Sequence, residues 1–91
     1  MKYVIGVTSE FRRDYRKLSE ELKGKLKHKG KIFAESPFHP FLRTHTLSGK
    51  LAGFWSFSID NRIRVMFEFC GETKILLHRV GDHSIYRKQH G

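Results

Sequence analysis

The side chains best suited to chemistry in this sequence are six histidines, a single cysteine and an excess of lysine and arginine. An imidazole exchanges a proton near neutral pH, and both imidazole and thiolate bind transition metals. No histidine pair has the His-x-x-x-His spacing of a helical metal site, and Cys70 has no second cysteine beside it. We therefore expect no metal and no intramolecular disulfide, which suits a reducing cytoplasm.

Arg64 is a second candidate, because the strand pattern around it places its side chain on an uncovered sheet face. A three-residue loop at 60–62 pairs Phe57 with Val65 and keeps the apolar side chains on one face. A two-residue loop would bury arginines among aromatics, which is unfavourable. The longer loop leaves an open face that carries Ser56, Ser58, Arg64 and Met66. An arginine at its centre needs a carboxylate or a phosphate as its partner.

Five lysines follow one another at alternate positions: Lys23, Lys25, Lys27, Lys29 and Lys31. On a helix they spread around two sides, while Leu22, Leu26 and Phe33 share a narrow sector that can face a core. The lysines are either a solvated helix face or contacts to the phosphate backbone of an RNA.

Composition restricts the partners and the size of the molecule. The 91 residues hold 18 Lys plus Arg against 9 Asp plus Glu, a net charge of +9. One domain, 1–91, with a radius of gyration of roughly 12 Å is expected. The positive charge favours a polyanion as the binding partner, most often a nucleic acid. A signal peptide, a membrane-spanning run and a lipidation motif are not seen in the sequence, so no membrane partner is expected.

The elements that must position these residues follow from periodicity and caps. A strand is expected at 3–7, and Thr8 or Ser9 can cap a helix beginning at Glu10. A second helix extends to about Glu35, with Gly24 as the expected break between the two; one long helix is the alternative. After a loop at 47–53, alternating apolar residues predict strands at 55–59, 63–69 and 73–80. His78, inside the last strand, is expected to be structural.

Three short stretches together resemble the RelE/ParE superfamily of bacterial toxins from type II toxin–antitoxin systems. They are the His-x-Leu-x-Gly motif at 45–49 with the Gly-Lys-Leu-Ala-Gly-Phe-Trp loop, the Ile-Arg-Val-Met-Phe strand at 63–67, and the Val-Gly-Asp-His-Ser-Ile-Tyr ending at 80–86. The resemblance covers almost the whole chain. It implies an α+β fold in which a two-helix hairpin packs on one face of a curved antiparallel sheet of about four strands, in the order β-α-α-β-β-β.

The resemblance also implies an activity. RelE-like toxins cut mRNA in the ribosomal A site without a metal or cofactor, using the 2′-OH of the RNA as the nucleophile. ParE-like toxins instead inhibit DNA gyrase without catalysis, and a basic RNA-binding module that has lost catalysis is a third possibility. Members of both toxin types are neutralised by an antitoxin. The expected partners are therefore an antitoxin, the ribosome and mRNA, in the cytoplasm.

RNA cleavage of this kind needs a base, an acid and a cation at the phosphate. The resemblance matches Arg64 to the residue that holds the scissile phosphate, Tyr86 to one that stacks on a base or assists proton transfer, and His83 and His45 to acid/base positions. Additional RNA contacts are expected from Lys50, Arg62, Arg87 and the five lysines at 23–31. Some histidine-type relatives carry His and Asp where this chain has Ser58 and Arg62, which leaves the division of acid and base roles open.

Overall fold

The computed structural model describes residues 3–87, which fold into two helices and one sheet. In chain order the elements are β1 (Val4–Val7), α1 (Ser9–Arg16), α2 (Glu20–Glu35), β2 (His45–Thr46), β3 (Trp55–Ser58), β4 (Arg64–Phe69) and β5 (Lys74–Gly81). Short 3₁₀ helices lie at Pro40–Leu42, Gly49–Leu51 and His83–Tyr86. We refer to His83–Tyr86 as the C-terminal turn. No helix in residues 3–87 is long and apolar enough to cross a bilayer.

The sheet has five strands in the order β1-β5-β4-β3-β2. β1 pairs with β5 in parallel, and the other neighbours are antiparallel. The predicted α+β class with a helical pair is therefore confirmed. The strand count differs from four because the two residues of β2 pair with Ser56 and Trp55 at the edge of the sheet.

The core lies between α2 and one face of the sheet. The ring of Phe33 in α2 stacks on Phe57 at 4.3 Å between centroids and meets Phe67 edge-on at 4.8 Å. Phe57 stands opposite Val65 in the sheet, so the predicted register is confirmed. Asp60 explains the odd loop, because its Oδ1 accepts hydrogen bonds from the backbone N–H groups of residues 62 and 63.

The break between the helices lies at residues 17–19, so the prediction of a break at Gly24 is wrong. The side chain of Ser19 caps α2 by accepting a hydrogen bond from the Leu22 N–H at 3.2 Å. Gly24 lies inside α2, where a Cβ would meet nothing within 4 Å. A capping serine satisfies N–H groups that a helix start leaves unpaired, whereas an exposed helical glycine costs only about 1 kcal/mol.

The face opposite the helices is not open as predicted, since Ser56, Ser58 and Met66 are buried. The C-terminal turn lies over this face, with Ile85 buried at its centre. Gly81 makes this close packing possible, because a Cβ there would lie 2.9 Å from Cγ2 of Ile85. We refer to this side of the sheet as the groove face.

Candidate functional site

The groove face holds a cleft of about 550 Å³, which we call the groove. It lies between β4, β5, the loop before β3 and the C-terminal turn. Its lining residues are Glu10, Ser48, Lys50, Leu51, Phe54, Met66, His78, Arg79, Ile85, Tyr86 and Arg87. Three predicted site residues are thus brought together: Lys50 and Arg87, expected to contact RNA, and Tyr86, expected to stack on a base or assist proton transfer.

One row of side chains crosses the sheet beneath the groove. His45, Ser56, Met66 and Arg79 stand opposite one another on β2, β3, β4 and β5, and directly opposite residues share a face. The hydroxyl of Tyr86 is hydrogen-bonded to Oγ of Ser56 at the middle of this row. Ser56 is fully buried, so this bond ties the C-terminal turn to the centre of the sheet.

Arg64 occupies the next row, opposite Ser58 on β3 and Gly81 on β5. It is half-buried and does not line the groove. Its Nη1 donates to the carbonyl oxygen of Asp60 at 2.9 Å, where a carboxylate or phosphate partner was expected. A carbonyl accepts a hydrogen bond and orients the guanidinium, but it carries no charge that would neutralise it.

His83 begins the C-terminal turn and is exposed, two residues after the partner of Arg64. Asp82 caps this turn, and its Oδ1 accepts from the Ser84 N–H at 2.9 Å. The pKa of the Asp82 carboxyl lies below its usual value because of hydrogen bonds from the side chain and backbone of Ser84, with smaller contributions from the charges of His83 and Arg62. Two of the predicted residues, Arg62 and His83, are thus among the groups that act on the Asp82 carboxyl.

His45 lies on the edge strand β2 and is exposed. Its Nδ1 is 2.9 Å from the carbonyl oxygen of Arg43. Because a carbonyl only accepts, Nδ1 carries the proton, and in the neutral ring Nε2 remains able to take one up. His45 shares the row of Ser56 but does not line the groove.

The five predicted RNA-binding lysines lie on α2, on the opposite side of the sheet from the groove. Lys23 contacts Glu20, Lys25 is 3.5 Å from Asp60, and Lys29 donates to the carbonyl of Phe41. Lys27 and Lys31 are exposed on the same helix. The structure thus separates these lysines from the groove, so both sets cannot hold the same nucleotide.

Sequence reasoning missed the groove residues of β5. His78 was expected to be structural, yet it lines the groove beside Arg79. The buried positions of β5 are Ile75, Leu77 and Val80, so the spacing changes from two to three between Leu77 and Val80. That change of phase is the mark of a β-bulge, and it is visible in the sequence as an apolar pattern that shifts by one.

The part of the chain that the structure describes has no cluster of potential metal ligands. Within residues 3–87, no three His, Cys, Asp or Glu side chains are placed to hold an ion together. Cys70 is a free, exposed thiol.

Several solved toxin structures share this architecture. YafQ from E. coli strain BL21(DE3) matches with a TM-score of 0.76 at 14% identity, over 92% of this chain and 97% of YafQ. The RelBE2 toxin–antitoxin complex from Mycobacterium tuberculosis gives 0.77 at 21% identity, over 91% of this chain and 100% of the matched chain. A YoeB/ParE toxin from Agrobacterium tumefaciens gives 0.75 at 19%, over 88% and 98%. No family model and no curated protein matches the sequence. At these identities the likeness establishes a shared fold.

Proposed function

We propose that this chain, which has the RelE/ParE toxin fold, is the toxin of a type II toxin–antitoxin system and cuts mRNA on the ribosome. One observation carries the proposal. Arg64 stands opposite Gly81, and the chain continues from Gly81 directly into the turn that carries His83 and Tyr86. A fixed cation therefore stands opposite the end of the strand that leads into an exposed imidazole and an aromatic ring, and the ring of Tyr86 lines the groove.

These groups match the needs of a cleavage in which the 2′-OH of the RNA attacks the adjacent phosphate. The Arg64 guanidinium would bind the phosphate oxygens as negative charge builds in the transition state. His83 would exchange a proton with the 2′-OH or with the leaving 5′-oxygen, which accepts one as the P–O5′ bond breaks. His45 is the second acid/base candidate, and Tyr86 would stack on a base beside the scissile bond.

An acidic antitoxin is the proposed protein partner. The RelBE2 structure that matches this chain is a toxin–antitoxin complex. The net charge of +9 favours an acidic segment that competes with RNA for the same surface. The ribosome and mRNA would be met in the cytoplasm.

The test is to map mRNA 3′ ends in cells and on purified translating ribosomes after expression of the wild type, Arg64→Ala and His83→Ala. New ends are expected with the wild type, and each substitution should lower their yield by about 100-fold or more, the size of effect typical of a lost acid/base or charge-stabilising group. Arg13→Ala and His28→Ala are matched controls on exposed positions of α1 and α2, and they should cut normally.

Two outcomes would reject the proposal. If the wild type leaves translating mRNA intact while gyrase stalls, the chain is a gyrase inhibitor. If cleavage occurs but is unchanged in both Arg64→Ala and His83→Ala, the active site lies elsewhere.

A further inference from the structure

A β-bulge in β5 turns two consecutive side chains toward the groove. Met66 pairs with Arg79 and Phe67 pairs with Leu77, so no residue of β4 stands directly opposite His78 in the register of the sheet. In a regular strand, neighbouring residues point to opposite faces. Here both His78 and Arg79 line the groove. Bulges of this kind redirect side chains next to functional sites.

Helix α1 and its cap hold the bulge in place. The hydroxyl of Thr8 donates to the carbonyl of His78 at 3.0 Å. Asp14 accepts from the backbone N–H of Val80 at 3.1 Å and from Nε of Arg79 at 2.6 Å. The carbonyl of residue 78 and the N–H of residue 80 are therefore both bonded to the α1 region, so the bulge is a fixed part of the fold.

Glu68 orients the ring of His78. Nε2 of His78 is 3.0 Å from Oε1 of Glu68, and the ring meets Phe54 edge-on at 4.9 Å. An ionised carboxylate only accepts, so Nε2 carries the proton. In the neutral imidazole, Nδ1 is then an acceptor on a residue that lines the groove.

The remaining lining of the groove suits a flat ring attached to a phosphate. Phe54, Met66, Ile85 and the ring of Tyr86 form an apolar wall. Lys50 and Arg87 add positive charge to the same lining, which also includes the carboxylate of Glu10. An apolar cleft with a few polar groups is the usual form of a site for a small aromatic ligand.

We propose that the groove is a nucleobase-binding subsite for the RNA and that His78 is its specificity-determining residue, favouring bases that carry an exocyclic amino group. The Nδ1 of His78 accepts a hydrogen bond from the exocyclic amino group of the base, and Glu68 is the positioning residue that fixes the tautomer. This inference rests on the proposed function for the identity of its ligand, an RNA base, but it concerns binding and not the cleavage step.

The test titrates mononucleotides into the isolated protein, with amide chemical shifts as the readout up to millimolar ligand. Two pairs differ only in the amino group: AMP against purine riboside 5′-monophosphate, and GMP against IMP. The wild type should bind the amino-bearing member of at least one pair about three- to tenfold more tightly, the range expected for one hydrogen bond. His78→Phe keeps a ring of similar size and should bind both members equally.

Control variants test whether the preference for the amino-bearing nucleotide depends on His78 and on its contact with Glu68. His28→Phe, at an exposed position of α2, should keep the preference. Glu68→Ala should weaken the preference, whereas Glu68→Gln, whose amide oxygen can still accept from Nε2, should restore it. A merely structural carboxylate would not show this rescue.

Equal affinity within both pairs overturns the role of His78, as does a preference that survives in His78→Phe. Absence of shifts in groove residues with any of the four nucleotides overturns the subsite itself. Because these titrations use no ribosome, the subsite can fail while mRNA cleavage is observed, and cleavage can fail while the subsite binds.

Discussion

Tyr86 shows how one buried hydroxyl can decide the role of a side chain. Its Oη is committed to Ser56, which has no exposure to solvent. The ring nevertheless lines the groove. A phenol held in this way offers its ring for stacking, while its hydroxyl is already hydrogen-bonded within the protein. The structure therefore favours the stacking role among the two that the resemblance allows for Tyr86.

Replacing either hydroxyl removes the hydrogen-bond partner of the other one, and the Ser56 hydroxyl is then fully buried without it. We expect Tyr86→Phe and Ser56→Ala each to lower the free energy of unfolding by about 1–3 kcal/mol. The double variant should lose less free energy of unfolding than the two single variants together, because it has removed both hydroxyls and leaves none unpaired. Urea denaturation of the four proteins measures this coupling.

Cleavage on ribosomes gives the functional counterpart of that cycle. If Tyr86 stacks, Tyr86→Phe retains most of the cleavage and Tyr86→Ala loses it. A loss in Tyr86→Phe as large as that in Tyr86→Ala, together with additive stability losses in the cycle, would instead assign proton transfer to the phenol.

At the scale of elements, two glycines have opposite structural roles. Gly24 lies within α2 with open space around it, and it adds only conformational freedom to the unfolded chain. Gly81 ends β5 at the point where the C-terminal turn folds back over the sheet, 2.9 Å from an atom of Ile85. The first glycine is replaceable, and the second is required by the close packing of the turn.

Alanine substitution distinguishes the two glycines. Gly24→Ala should raise the free energy of unfolding by about 0.5–1 kcal/mol, since alanine is the better helix former. Gly81→Ala should lower it by about 1–3 kcal/mol, because the added methyl overpacks against Ile85. Thermal or urea unfolding of both variants measures the sign of each change in the free energy of unfolding.

A destabilised Gly24→Ala would mean that the chain does turn at Gly24, contrary to the helix observed. An unchanged Gly81→Ala would mean that the C-terminal turn is not packed on β5. Gly30→Ala, at a second open position in α2, serves as the control for helix propensity and should behave like Gly24→Ala.

At the scale of the whole molecule, the excess charge divides between two sides of the sheet. The radius of gyration is 12.2 Å, as the chain length predicts. The shortest extent of the molecule is 22 Å. The α2 lysines face away from the groove, which contains Lys50 and Arg87. Lysines on a separate face can add affinity for an RNA surface without taking part in chemistry.

Charge reversal on α2 should therefore weaken docking but not the cleavage step. Lys27→Glu/Lys31→Glu should lower the affinity for ribosomes by about tenfold or more and reduce its salt dependence, since fewer phosphate contacts release counterions. Turnover at saturating ribosomes should stay near that of the wild type. Binding measured across a salt series, with parallel kinetics, provides both quantities.

Lys17→Glu/Lys74→Glu is the matched control, because it changes the net charge equally at exposed positions outside α2. An equal loss of affinity in both double variants would show that only the total charge matters. A fall in saturated turnover for the α2 variant alone would place those lysines in the cleavage machinery.

Local physics in the sequence determined much of this molecule. Alternating apolar residues and the Asp60 loop were sufficient for the Phe57–Val65 register. The pair Thr8 and Ser9 placed the start of α1 within one residue, and Thr8 is the cap. These features depend on residues close together in the chain, or on one face that must avoid water. The candidate residues Arg64, His83 and Tyr86 were proposed from the resemblance of their motifs to RelE-like toxins.

Only the tertiary structure decided what surrounds those residues. The Ser56–Tyr86 bond joins positions 30 residues apart, and the bulge at His78 is held by α1, about 70 residues earlier in the chain. The sequence placed the break at Gly24 because glycine disfavours helix, whereas packing on Phe57 and Phe67 stabilises α2 as one continuous helix. The net charge of +9 is a property of composition, but its division between two faces follows from which side of the sheet the helices cover.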